Sequence, residues 1–362
     1  MIEDSLADPV ASRRPSYLTD LVDGVDRFFE PRRADCPWCG SAALRGRLTT
    51  TDLLQHKPGR FVLDGCQDCA HVFQNPRLNE AGLEFYYRDS YDGLGEKSAN
   101  GLFEGNRAAY RSRAELVKGL GAAGEWLDVG MGHGHFCKEA AGLLPDVEFD
   151  GLDLGDSVEL AQREGRIRAG YQGSFVDKAD DLAGRYDVIS MYHYLEHTVD
   201  PKRELAAAMT VLRPGGLLAI ELPDPECRWA KVLGRWWMPW LQPQHLNLMP
   251  IGNLRAELSA RGFTVVAQQR AEPHAAIDVV AALMLAVNAL TIAGEDIPWR
   301  PEPPSRWRRI LRKATFVVCV PLFVLAVLVD RISAPIGRKR GWSNAYRVVA
   351  RREGHHEGLG EG

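Results

Sequence analysis

The sequence lacks a bias toward charge of one sign. Its 44 lysines and arginines against 48 aspartates and glutamates leave a formal net charge of −4, so nothing draws the chain as a whole toward nucleic acid. It also lacks an apolar segment near its first residue. MIEDSLADPVASRR carries acids at positions 3, 4 and 8, unlike a secretory signal or a basic transit peptide, and a cytoplasmic protein is expected. Unbroken apolar runs of membrane-spanning length are missing too. The two longest, AAIDVVAALMLAVNAL (275–290) and ATFVVCVPLFVLAVLV (314–329), span about 24 Å each as helices, short of the roughly 30 Å hydrocarbon core. Cysteine is sparse, with seven in 362 residues, but four of the seven fall into two tight pairs.

With 45% hydrophobic residues the chain can build one large domain with small additions, or two domains. The cysteine pairs CPWC (36–39) and CQDC (66–69) are separated by 26 residues with strand-like patches at 43–53 and 60–63. Four thiolates so spaced can surround a tetrahedral Zn²⁺, and Cys36, Cys39, Cys66 and Cys69 are the expected ligands. A closed thiolate shell leaves no open position for water, so the metal is expected to fold a ribbon too small to build its own core. After it come a turn at Asn75–Pro76 and an aromatic cluster, Phe85, Tyr86, Tyr87 and Tyr91, followed by glycines at 93, 95 and 101. That segment reads either as a lid over a ligand or as packing between ribbon and main domain.

From Arg107 onward the chain alternates. Strand-like runs at 126–129, 147–154, 186–191, 217–222 and 263–267 are separated by helical patterns, which predicts a mostly parallel sheet with helices on both faces. Asp200 and Pro201 open one helix, expected to stop at Arg213–Gly216. In such sheets ligands bind at the carboxyl ends of strands, where WLDVGMGHGHF (126–136) sits. Glycines at 130, 132 and 134 let backbone approach a ligand closely. A dinucleotide fingerprint would read GxGxxG. Here Asp128 precedes the glycines; it would repel a phosphate and attract a cationic amino-acid moiety. Asp153 ends the next strand, where a carboxylate holds ribose hydroxyls. A ribose with a cationic tail describes S-adenosylmethionine better than a nicotinamide dinucleotide.

The ordered set LDVGMGHGHF, FDGLDLG, YDVISMYHYLEHTVDP, LRPGGLLAIELPD and ARGFTVV resembles the class I methyltransferases that use S-adenosylmethionine, over residues 107–270. The preceding CPWC and CQDC ribbon, with VFQNPRL and YYRDSY, is similar to the zinc-ribbon subgroup that includes sugar C-methyltransferases and bacterial methyltransferases of unassigned substrate. The resemblance implies a Rossmann-like α/β fold with a seven-stranded sheet whose last strand, NAYRVVARR (344–352), runs antiparallel. It implies Asp128, Gly130, Gly132 and Gly134 around the methionine part of the donor and Asp153 at the ribose. On the adenine side YQGSF (171–175) offers Ser174 or Phe175 where the family often has an acid.

Methyl transfer asks for positioning and, where the acceptor carries a proton, a base. Histidine suits that task. The candidates are His193, Glu196 and His197 in MYHYLEHTVDP and His245 in QPQHLN, both beyond strand ends on the donor side; by resemblance the Glu196–His197 pair lies against the donor or shapes the pocket. His133 and His135 read as local to the glycine loop. No catalytic metal is expected, because HYLEH offers ligands without a convincing third.

The expected organisation is an extension (1–30), a zinc ribbon (31–75), an aromatic linker (76–106), the methyltransferase domain (107–352) with a helical insertion (271–343), and a tail (353–362). Arginines at 300, 306, 308, 309 and 312 with Trp299 and Trp307 flank the second apolar run, a pattern of membrane interfaces. Pro321 is expected to interrupt that run, and Asp278 and Asn288 disfavour a membrane hairpin. Residues 275–340 therefore read as a lid or dimer contact that dips into the inner membrane face, or as a fully soluble packing element. The expected activity is methylation of oxygen or carbon on a small-molecule, sugar or lipid-linked acceptor. A nicotinamide-dependent oxidoreductase, and a non-catalytic membrane- or nucleic-acid-binding protein on this fold, are the alternatives. Nucleic acid is disfavoured because the basic residues lie beside apolar runs.

Overall fold

A computed structural model describes residues 9–88, 107–270, 276–340 and 342–354. The first three strands follow the cysteine pairs. β1 (Leu44–Thr50), β2 (Phe61–Cys66) and β3 (Val72–Gln74) pair antiparallel, and both knuckles stand at the same end of β1 and β2, where Leu44 faces Cys66.

The apolar runs then become a parallel core. β4 (Gly124–Val129), β5 (Val147–Asp153), β6 (Gly170–Gln172), β7 (Tyr186–Tyr192) and β8 (Leu212–Pro223) are followed by a two-residue β9 (Asn247–Leu248), β10 (Phe263–Arg270) and β11 (Ala345–Arg352). The sheet order is β10-β11-β8-β7-β4-β5-β6. β4 through β8 pair in parallel, whereas β11 pairs antiparallel with both β8 and β10. This is the seven-stranded, Rossmann-like sheet expected from the sequence. Its central strands carry side chains buried on both faces: Leu127, Val129, Ile189 and Met191 on one side of the sheet, Trp126 and Val188 on the other.

Two local expectations are revised and one unforeseen pairing is added. Asp200 accepts from the amides of Lys202 and Arg203, so the helix Pro201–Val211 starts as read, but LRPGG is the first part of β8 and not a helix stop. β9 lies outside the seven-stranded sheet and pairs with β3, giving the ribbon a fourth strand. Finally, Pro321 does not interrupt its helix: Arg306–Arg340 is continuous over 35 residues, about 52 Å at 1.5 Å per residue. The helix therefore runs through Pro321 at the loss of one backbone bond.

The insertion between β10 and β11 is thus a helix pair, Asp278–Thr291 and Arg306–Arg340. Its polar residues hold it together. Asp330 accepts from the amides of Val279 and Val280, Asp278 accepts from Asn344, and Arg312 donates to Asn288 and Thr291. Asp278 and Asn288 therefore serve packing. The apolar stretch of the long helix is left exposed, with Val317, Val318, Leu322, Val324 and Leu325 all more than half accessible.

The aromatic cluster is divided. Phe85 and Tyr86 are buried with Tyr17, Phe28 and Phe61, so they pack against the N-terminal extension and the ribbon and not against the main sheet. Tyr91 and the glycines at 93, 95 and 101 lie outside the described residues.

Candidate active site

The glycine loop turns sharply between β4 and the helix His135–Ala141. Gly130, Gly132 and Gly134 all have positive φ (73°, 53° and 70°), a conformation that L side chains avoid. Above Gly130 lies the ring of Tyr194, only 2.6 Å from where a Cβ would stand. Gly132 instead faces open space, with nothing within 4 Å of its Cβ position. One glycine admits a protein ring and the next leaves room for a ligand. Asp153, at the carboxyl end of β5, accepts from the Gly132 amide (2.9 Å) and the Gly155 amide (3.1 Å), fixing the loop against the neighbouring strand. A carboxylate has about four acceptor positions, so it retains capacity for two hydroxyls.

Asp128 stands differently from its expected place. It is buried beneath the loop and receives the Ser190 hydroxyl and the Cys137 thiol. Burial pushes its pKa up to about 7, against the opposing pull of Ser190 and of the Arg113 charge. Buried at this depth, its carboxylate lies behind the loop and not on the crevice surface. On the adenine side the expectation is corrected for one residue. Phe175 is fully buried in the main core, and Ser174 uses its hydroxyl to cap the helix Phe175–Lys178, so Phe175 does not reach the crevice. His133 and His135 are half-buried at the loop's exit, their rings 6.2 Å apart.

The second half of the site leaves β7 and β8. His193 has a left-handed backbone (φ 54°). Its Nδ1 is 3.0 Å from Glu196 and its Nε2 is 3.1 Å from Glu221, both buried carboxylates. Burial alone lowers its pKa, but the two carboxylates outweigh it and raise it to about 9. Set between two carboxylates, His193 is favoured as an ion-pair partner over a general base. Glu221 also binds Arg113 and Arg347, so the floor of the site is a buried network of alternating charge. Burial opposes ionisation of Glu221, yet Arg113, His193 and Arg347 hold it well below the usual carboxylate range.

Glu196, His197 and His245 meet beside this network, their ligand-type atoms all within 4.8 Å of one another. The two imidazoles are edge to face at 4.6 Å. Burial lowers the pKa of both; for His245, buried next to His197, it falls to about 3. Asp153 is near enough to raise the pKa of His197, so the cluster adjoins the donor side of the crevice. The aromatic linker and the ribbon frame it from outside. Tyr87 places its hydroxyl 2.9 Å from His197 Nδ1 and donates to the Gln244 carbonyl, while His71 pairs with Asn247, which holds the Thr198 carbonyl. Tyr194, Ser190, Glu221, Arg113 and Arg347 had no part in the sequence reading, which named Tyr87 only as a member of the aromatic cluster. An acid inside the apolar run LLAIELP was the available signal for Glu221, since a buried carboxylate needs cationic partners.

The four ribbon cysteines converge as expected, with their sulfurs all within 4.8 Å and the pairs Cys36–Cys69 and Cys39–Cys66 at 3.7 and 3.5 Å. A tetrahedron with metal–sulfur bonds of about 2.3 Å has edges near 3.8 Å, so the cluster fits Zn²⁺.

Residues 103–268 match a family model described as a methyltransferase domain. This span, under half of the chain, is thus similar to methyltransferase domains, and the sheet order and glycine loop agree with the class I, S-adenosylmethionine-dependent type. Among curated proteins, the domain is 33% identical over 95 residues to the ubiquinone biosynthesis O-methyltransferase of Azotobacter vinelandii, covering 25% of this chain and 40% of that one. It is 32% identical over 103 residues to the protein of the same name from Pseudomonas savastanoi, covering 27% and 44%. The chain thus spans less than half the length of these curated relatives. A crystal structure of a SAM-dependent methyltransferase from Archaeoglobus fulgidus is similar at 17% identity and a TM-score of 0.43, over 73% of this chain and all of that one.

Proposed function

We propose that the protein transfers the methyl group of S-adenosylmethionine to a small-molecule, sugar or lipid-linked acceptor, and not to nucleic acid. The observation that carries this reading is the pairing of Asp153 and the open Gly132 cradle with the Glu196–His197–His245 cluster on adjoining strand ends. Bound S-adenosylmethionine supplies an electrophilic methyl group, so the chain's task is to bind, orient and exclude water. Asp153 would hold the ribose, the loop amides the methionine end, and the buried Asp128 would favour the cationic ammonium through its field. The tetrathiolate site would hold a structural zinc that keeps Tyr87 and β9 in place. His197 and His245, neutral at pH 7, face the acceptor side and are the groups available to its proton. Because the curated relatives are named O-methyltransferases, oxygen is the favoured acceptor atom.

The exposed apolar face of Arg306–Arg340 supports a lipid-linked acceptor. This helix alone among the described residues is long and apolar enough to cross a membrane, and only 11% of that apolar window is buried. Its arginine-rich, tryptophan-bearing start suits a cytoplasmic protein docked on the inner membrane face. The activity test is transfer of isotopically labelled methyl from S-adenosylmethionine to candidate phenolic, sugar and prenyl-type acceptors. Label appearing in none of them, with the donor bound, would send the search to other acceptor classes; no donor binding would sink the reading.

A further inference from the structure

We infer that Glu196, His197 and His245 form a second metal site, a two-histidine, one-carboxylate triad for a divalent first-row transition ion. Three independent features of the geometry converge on it. First, Glu196 is fully buried; one carboxylate oxygen pairs with His193 and the other has no hydrogen-bond partner. A buried carboxylate oxygen left without a partner is costly, and a cation satisfies it.

Second, both histidines present the same nitrogen. His245 Nδ1 lies 2.7 Å from the Pro239 carbonyl and His197 Nδ1 lies 3.2 Å from the Gln244 carbonyl. A carbonyl only accepts, so in each neutral ring the proton sits on Nδ1 and the lone pair on Nε2. Tyr87 reinforces the second arrangement, since it donates its own proton to that same carbonyl. Metal-binding histidines are oriented in this way, with the outer N–H given to a carbonyl.

Third, the spacing is right. With ligand atoms no more than 4.8 Å apart, an ion at their centre lies at most about 2.8 Å from each, so closure to bonds of 2.0–2.2 Å requires shifts under about 1 Å.

Two imidazoles and one carboxylate select ions such as Zn²⁺, Fe²⁺ or Co²⁺ over Mg²⁺ or Ca²⁺. Three ligands leave positions open, in contrast to the closed thiolate shell of the ribbon. Resting on the proposed methyl transfer, the consequence is that an acceptor hydroxyl binding the open face loses its proton to solvent more readily. With the ion in place the two imidazoles are ligands and not bases.

The test is a metal count on the full-length protein. After exposure to Zn²⁺ and removal of free ion, elemental mass spectrometry should find two zinc ions per chain, and one in Glu196→Gln and in His245→Ala. One ion in the wild type, or two in both variants, overturns the proposal. A measurement that needs no variant is Co²⁺ titration of zinc-loaded wild-type protein. Visible bands without sulfur-to-metal charge transfer support the triad; charge-transfer bands alone, or no bands, contradict it. Donor binding by calorimetry is read separately. Its loss with two metals retained strikes the methyl-transfer reading alone, and its retention with one metal strikes the triad alone.

Discussion

Glu221 is the residue on which the floor of the site depends. It sits on β8 with no exposure, between Arg113, Arg347 and His193, and its carboxylate compensates three cations that would otherwise face one another in the interior. Glu221→Gln should lower unfolding stability by about 3–5 kcal/mol, as expected for stranded buried charges, read as a shift of the urea midpoint. Asp153→Ala removes both ribose acceptors and the anchor of the Gly132 amide. Donor affinity should fall more than about 100-fold, since two charge-assisted bonds worth about 1.5–3 kcal/mol each are lost, with little change in the melting temperature. Asp128 gives the pH dependence. Burial raises its pKa to about 7, so near neutrality it is partly protonated; a bound cation favours the carboxylate and lowers that pKa. Donor binding at pH 7 should therefore release protons, and affinity should weaken as pH falls below 7. Calorimetry in buffers of different ionisation enthalpy measures the protons directly, and a pH-independent affinity between 6 and 8 would contradict it.

Among the elements, the ribbon and the main sheet are joined at the place where chemistry is proposed. β9 follows His245 directly and pairs with β3, so the tetrathiolate centre braces the loop that carries His245. Stripping that metal with a chelator should raise amide exchange across 242–249 and weaken acceptor turnover more than donor affinity. This coupling was illegible in the sequence, because a two-residue strand has no periodicity to read. The parallel strands were legible for the opposite reason. Buried on both faces, β4, β5, β7 and β8 read as apolar runs, and positive-φ turns left glycines at their ends. The cysteine pairs were equally plain, since spacing alone brings four thiols together. Tertiary context decided the failures. Phe175 follows the strand end where an adenine contact is expected, yet the adjoining helix turns it into the core. His193 looked like a base until Glu196 and Glu221 closed on it. A third metal ligand for Glu196 and His197 existed, but it lies 48 residues further along the chain.

For the whole molecule, the long helix Arg306–Arg340 is the unusual feature. A soluble surface seldom leaves Val317, Val318, Val320, Leu322, Val324 and Leu325 exposed together. The protein should co-sediment with anionic phospholipid vesicles, and Val318→Glu with Leu325→Glu should abolish that while leaving donor binding intact. Equal sedimentation of wild type and double variant would remove the membrane from the account. The central claim concerns the crevice between the glycine loop and Asp153. Calorimetric titration of the purified protein with S-adenosylmethionine and with its demethylated product tests it most directly. The account predicts one site per chain for both, lost together in Asp153→Ala; absence of binding by either compound to a folded, zinc-loaded chain would contradict it.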